Sequence, residues 1–231
     1  MNAIEYPLDI KTLYLTWQPK GNQVRYFVAE IKKVSENDFQ FEYHLDSIDY
    51  KEATEAGFRG VPSFRTENRF HNGNVLDLFL KRLPPKSRKD FSKYLEYYGI
   101  SKNLEIDDFT LLAHTGVQLP SDGLVLIPKL DEAQLPFDYI MEVAGTRHHL
   151  SNSELELIPI GASVEFVPEQ YNCHDGDAIS INYESKKIGY VNKMLCGAIG
   201  KLLTTNNVSG HVFRKSGTED RPLIYLLIRV D

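Results

Sequence analysis

The run from Val167 to Ile179 does most to restrict what this chain can fold into. It reads Val-Pro-Glu-Gln-Tyr-Asn-Cys-His-Asp-Gly-Asp-Ala-Ile. Proline, asparagine, aspartate and glycine concentrate here into a tight polar bend, and the chain then enters an alternating strand. Asn and Asp side chains bond their own downstream backbone, so such a bend can hold a rigid, exposed set of polar groups. An exposed polar bend that leads into a strand is the expectation for this part of the chain.

The whole chain has 231 residues, enough for one large domain or two small ones. Its 42% hydrophobic content is ordinary for a folded protein. No apolar stretch approaches the roughly 20 residues that span a bilayer. The opening Met1-Asn2-Ala3-Ile4-Glu5 lacks the basic-then-apolar order of a signal peptide. Two cysteines, Cys173 and Cys196, make no disulfide framework. A reduced, cytoplasmic protein without a membrane contact is therefore expected. The net charge of −6 argues against indiscriminate DNA binding. From Phe137 onward there are nine Lys/Arg against twelve Asp/Glu, a formal −3. Affinity for nucleic acid leans on basic side chains that neutralise phosphates, so only a local patch or a strand end suits this balance.

In the first part, Leu13–Trp17, Val24–Ile31 and Phe39–Tyr43 read as strands, rich in aromatic and β-branched residues and separated by turn residues. They predict an antiparallel meander. Asp46–Ala53 reads as a short capped helix. Val75–Leu83 has apolar residues at helical spacing and stops at Pro84-Pro85. Further helices are expected over Ser87–Tyr98 and Asp107–His114, the latter with acidic residues at its start, where the helix dipole favours them. Gly123–Pro128 closes the region as a strand.

Three later segments carry a resemblance. Val143-Ala144-Gly145-Thr146-Arg147-His148-His149 comes first, then the polar bend, then Lys187-Ile188-Gly189-Tyr190-Val191 before a helix-like stretch from Asn192 to Leu203. Their order and spacing resemble the HIRAN domain, a small β-rich module found alone or fused to DNA-processing enzymes. The resemblance implies a small β-barrel with one helix over residues 137–231.

The first 130 residues resemble the N-terminal subdomain of HipA-like kinases. The matching pieces are Phe41-Glu42-Tyr43, Gly60-Val61-Pro62, Phe79–Pro84, Phe109–Gly116 and Gly123–Pro128. Leu119-Pro120-Ser121-Asp122 departs from that family's small-residue turn. No phosphate-binding loop, catalytic Asp loop or metal-binding Asp in kinase context is present. The expected fold class is α+β: an N-terminal antiparallel meander with helices over 1–130, and a C-terminal HIRAN-like barrel over 137–231.

Arg147, His148, His149, Asn172, His174, Asp175 and Asp177 are the first candidate site. In HIRAN domains that bind DNA, the matching positions line a pocket for a single-strand end. The resemblance implies an aromatic pair stacking on bases, with Asn, Asp and backbone groups on the sugar and phosphate. Aromatic stacking tolerates any base, because every base has a π-face. Here the pair is His148-His149, the family's Tyr is His174 and its Asn is Asp177. Equally, Asn172, Asp175 and Asp177 could simply stabilise a turn. His148, His149, Cys173, His174 and Asp175 are metal-ligand types, but the paired spacing of zinc sites is missing. On a strand, adjacent histidines would face opposite sides. No metal, no cofactor and no catalytic residue is expected, Cys173 included.

The second candidate is a partner-binding surface. It comprises Lys81, Arg82, Lys86, Arg88 and Lys89, opposed only by Asp90, together with Phe58, Arg59, Phe64 and Arg65 in the long segment Gly57–Gly73. A solvated helix face and aromatics packed on their own domain are the plainer alternatives. The resemblances together imply a non-enzymatic regulatory, antitoxin-like partner of a separately encoded HipA-like Ser/Thr kinase. The competing expectation is a protein that binds single-stranded DNA or DNA 3′ ends.

Overall fold

The structure is a computed structural model that describes residues 4–21, 24–119, 121–169 and 176–231. It divides into two units. One comprises Asp9–Leu95 and Glu105–Glu132; the other comprises Met1–Leu8, Glu96–Leu104 and Ala133–Asp231.

The first unit is built on the expected meander. Strands β1 (Thr12–Trp17), β2 (Tyr26–Ser35) and β3 (Asp38–Tyr43) run antiparallel. Helix α1 spans Ile48–Glu55, and a two-residue strand β4 (Phe70–His71) follows. Next come α2 (Val75–Leu80), α3 (Phe91–Tyr97), α4 (Asp108–Thr115) and β5 (Leu124–Pro128). The sheet order is β4-β3-β2-β1-β5. Registers Leu13↔Ile31, Leu15↔Ala29, Ile31↔Phe41 and Ala29↔Tyr43 put one set of side chains on one face, and all of them are fully buried. This follows from the two-residue period of a strand. Two helices begin where the sequence supplies caps. Ser47 accepts from Tyr50 N at the start of α1, and Asp107 accepts from Thr110 N at the start of α4. Helix α3 begins at Phe91 rather than Ser87, because Pro84-Pro85 is followed by a turn in which Arg88 N bonds Pro85 O and Phe91 N bonds Arg88 O.

The second unit carries β6 (Phe137–Glu142), α5 (Asn152–Leu157), β7 (Ser163–Pro168), β8 (Ile179–Tyr183), β9 (Lys186–Tyr190), α6 (Lys193–Thr205), β10 (Val208–Thr218) and β11 (Arg221–Val230). Its six strands form one curled sheet in the order β6-β11-β10-β7-β8-β9. Strand β11 alternates strictly: Pro222, Ile224, Leu226, Ile228 and Val230 are buried and the residues between them are not. The curl brings the two edge strands of the sheet together. Just past β6, Ala144 exchanges two backbone hydrogen bonds with Tyr190 at the end of β9, at 2.8 and 2.9 Å. Gly189, at φ +150°, permits this approach: a Cβ there would sit 2.5 Å from both Ala144 O and Val143 Cγ1.

Two expectations for this unit are corrected. It holds a second helix, α5, besides α6. Helix α5 starts on a capping box in which Ser151 Oγ accepts from Glu154 N and the Glu154 carboxylate accepts from Ser151 N. The segment Met1–Leu8 also groups with this unit rather than with residues 9 to 130. The fully buried Asp138 on β6 explains it. Its carboxylate accepts from Glu5 N and Tyr6 N at 2.7 and 3.1 Å, and from Arg229 Nε and Nη2 at 2.7 and 2.9 Å. Four donors satisfy a charge that burial would otherwise make costly.

Candidate nucleic-acid interface

The Arg147-His148-His149 segment is set by the end of β6. Gly145 takes φ +74°, turning the chain into a one-turn 3-10 helix over Thr146–His148. The turn is pinned from inside. Buried Thr146 donates through Oγ1 to Val143 O at 3.1 Å, and His148 N bonds Gly145 O at 2.9 Å. The histidines are therefore not on a strand facing opposite sides, as expected. Arg147 and His148 are exposed, with Arg147 Nε 3.2 Å from His148 Nε2. His149 is half-buried and sets its ring edge-on to Tyr190, with centroids 5.5 Å apart.

Tyr190 draws in two charged groups. Lys187, also on β9, donates to Tyr190 Oη at 2.8 Å and lies 4.7 Å from the centre of its ring. Glu169, one residue past β7, sits 2.5 Å from Lys187 Nζ and accepts from Tyr190 Oη at 3.3 Å. The Glu169 carboxylate and the Tyr190 hydroxyl hold the Lys187 ammonium above its usual range. Burial, then the charges of Lys187 and His148, push His149 below its ordinary value of 6.5, against a smaller opposite effect of Glu169. The result is a patch of two imidazoles, a phenol, a guanidinium and an ammonium, with one carboxylate among them. Such a set can stack on bases and meet phosphate.

Asp177 is exposed in the turn before β8. Asn172, His174 and Asp175 lie outside the described residues, as does Cys173. Among the described residues, no cluster of three His, Cys, Asp or Glu side chains is placed to hold a metal ion. Lys187, Tyr190 and Glu169 were not read as site residues from the sequence. Ile188-Gly189-Tyr190 was part of the resemblance, but only the edge-to-edge bridge puts Tyr190 beside His149.

The second candidate group is largely occupied inside its own unit. Phe58 is buried, against Trp17 and Tyr50 at centroid distances of 5.3 and 5.9 Å. Phe64 packs its ring, tilted by 30°, against Phe41 at a centroid distance of 4.5 Å. The Gly57–Gly73 segment is held by the Tyr43 hydroxyl, which accepts from Val61 N and donates to Phe64 O, each at 2.8 Å. Burial raises the Tyr43 hydroxyl to about 12. Arg59 donates to Thr54 O at the end of α1. Arg82 forms a two-point pair with Asp122 and also donates to Val117 O and Leu124 O. Asp90 is thus not the only opposing acid. Lys86 pairs with Asp108 at 2.6 Å and Arg88 with Asp90 at 2.6 Å. Acids distant in sequence reach the basic group through the fold of α4 and β5. Arg65, Lys81 and Lys89 are exposed.

The HIRAN domain family model matches residues 136–228, which supports the resemblance drawn for this stretch. Among solved structures, the chain is similar to the HIRAN domain of human HLTF, at 19% identity and a TM-score of 0.34, over 40% of this chain and 74% of that one. It is also similar to a protein from Lactobacillus plantarum, at 21% identity and a TM-score of 0.35, over 42% of this chain and 94% of that one. No curated protein matches. The comparisons lend no support to the HipA-like resemblance or to a kinase partner. Among the described residues, no helix is long and apolar enough to cross a membrane.

Proposed function

We propose that the HIRAN-like unit binds single-stranded DNA, at or near a strand end, and that the chain acts by binding rather than by catalysis. The observation that carries this reading is the patch at the closure of the curled sheet. There the turn bearing Arg147, His148 and His149 lies against Tyr190 and Lys187 of β9. Imidazole and phenol rings offer stacking surfaces, and Arg147 is exposed to meet phosphate. The family match over residues 136–228 supports the same reading. The acidic balance of the unit makes the binding local and strongly dependent on salt.

The test is fluorescence anisotropy of a 5′-labelled oligothymidylate with a free 3′ end, and of the same strand blocked at that end. Wild type, Arg147→Ala and His149→Ala are compared at low salt. Binding that falls as salt rises, drops at least about tenfold in Arg147→Ala and weakens on the blocked strand is the expected result. Absence of binding at low salt would sink the reading.

A further inference from the structure

We infer that Glu169 is an internal counter-ion that holds the site in a low-affinity state, and that a phosphate must displace it to reach Lys187. The inference rests on the DNA-binding reading above and adds a determinant of its affinity. Glu169 and Lys187 are on different strands of the curled sheet, one residue past β7 and within β9, yet their charged atoms are 2.5 Å apart. The same carboxylate accepts from Tyr190 Oη at 3.3 Å, and Lys187 donates to that hydroxyl at 2.8 Å. Three groups thus close a hydrogen-bonded triangle on the residue that carries the His149 contact. The pair is partly open to solvent, with side-chain exposures of 33% for Lys187 and 25% for Glu169. A strand can therefore reach it without unfolding the sheet.

The pair changes what the patch presents. A lysine beside a carboxylate offers a phosphate almost no net charge, and the carboxylate oxygens repel it. Two of the ammonium's three donors are also already taken, by Glu169 and Tyr190. A phosphate oxygen can supply the acceptor that Glu169 now supplies, because both are anionic oxygens that suit an ammonium donor. The exchange keeps Lys187 and Tyr190 in place and swings only the carboxylate away. Glu169 thereby lowers affinity for any phosphate chain and restricts binding to strands whose other contacts, at Arg147 and the rings, are good enough to offset the displacement.

The variants Glu169→Gln, Lys187→Met and the double variant are titrated with the 5′-labelled oligothymidylate at several salt concentrations. Glutamine keeps the size and an acceptor oxygen but removes the charge. Glu169→Gln is expected to bind about tenfold more tightly than wild type, with log K against log salt steeper by about 0.7, the value for one more phosphate neutralised on a single strand. In the Lys187→Met background, Glu169→Gln is expected to gain less than about threefold, since the partner it masks is gone. Circular dichroism confirms that each variant is folded. Equal or weaker binding by Glu169→Gln, with wild type still binding, overturns the counter-ion role and leaves the DNA reading standing. No binding by wild type or Glu169→Gln at low salt overturns both. Binding by Glu169→Gln alone supports the masking role of Glu169 but overturns DNA binding by the wild-type chain.

Discussion

Gly189→Ala is the sharpest test of how the sheet holds its site. The glycine sits where the two edge strands of the curled sheet meet, at φ +150°. An added Cβ would lie 2.5 Å from Ala144 O and 2.5 Å from Val143 Cγ1, distances no real Cβ contact tolerates. One of the obstacles is backbone, so the strand must move rather than a flexible side chain. Two terms then add. The Ala144–Tyr190 bridge contains two hydrogen bonds, and losing them costs about 1–3 kcal/mol. Holding a side chain at this backbone geometry costs about 1–3 kcal/mol more. The expected loss is about 2–6 kcal/mol, a large part of the stability of a small domain. Urea unfolding followed by circular dichroism measures it. Trp17, the only tryptophan, lies on β1 of the other unit and its fluorescence reports that unit separately. The circular-dichroism transition should move to lower urea while the Trp17 transition stays. A change under about 0.5 kcal/mol would refute the claim that the bridge closes the sheet.

Other substitutions test separate parts of the argument. Gly197 lies inside α6, exposed, with open space where its Cβ would be, so Gly197→Ala should stabilise by about 0.5–1 kcal/mol in the same urea assay. Arg82→Ala removes four hydrogen bonds and leaves Asp122 without its partner; a loss of about 2–4 kcal/mol in the Trp17 transition is expected, and under 1 kcal/mol would show the clamp to be ornamental. Glu30 is nearly buried beside His44 and Lys32. Burial pushes its carboxyl up, but the His44 imidazole 3.5 Å away and the Lys32 ammonium at 2.5 Å outweigh this and hold it at about 2, below its ordinary 4.5. A depressed carboxylate contributes stability above pH 4.5 and loses it as the pH falls towards 2, so Glu30→Gln should cost up to about 3 kcal/mol at pH 7 and progressively less between pH 4.5 and 2. A gap between the two proteins that did not shrink over that window would contradict the assignment.

Much of this fold is written in local pattern. The alternation of Phe39, Phe41 and Tyr43, and the Asp107 cap of α4, each act within a few residues, and the elements stand where those signals fall. The start of α5 also had a legible signal that went unread: Ser151-Asn152-Ser153-Glu154 is a capping box before Leu155. Other features were not local. Arg82 looks like one charge in a basic run, yet Asp122 claims it from 40 residues away. Phe58 looks available in a long loop, yet Trp17 and Tyr50 bury it. The histidine pair stands out in the sequence as a candidate, but its geometry does not. The 3-10 turn follows from Gly145 and Thr146, and the neighbour Tyr190 follows only from closure of the sheet.

The charge balance of the second unit now has a structural meaning. Of its nine basic residues from Phe137 onward, Lys186 is paired with Glu154, Lys187 with Glu169, Lys215 with Glu156, and Arg229 with Asp138 and Glu5. Arg214 lies between the rings of Tyr97 and Tyr225. Most of the basic side chains therefore serve the fold, and a surface of this kind repels DNA over most of its area. Arg147 differs because it stands exposed on a pinned turn, beside two imidazoles and a phenol. Lys187 differs because its counter-ion, a partly exposed carboxylate, shares the patch with Tyr190, whereas Arg229 is held by the buried Asp138. An ion pair that solvent can enter is one that a phosphate can exchange. On this argument the proposed contact with a strand centres on a place where an exposed arginine and an exchangeable lysine stand beside aromatic rings.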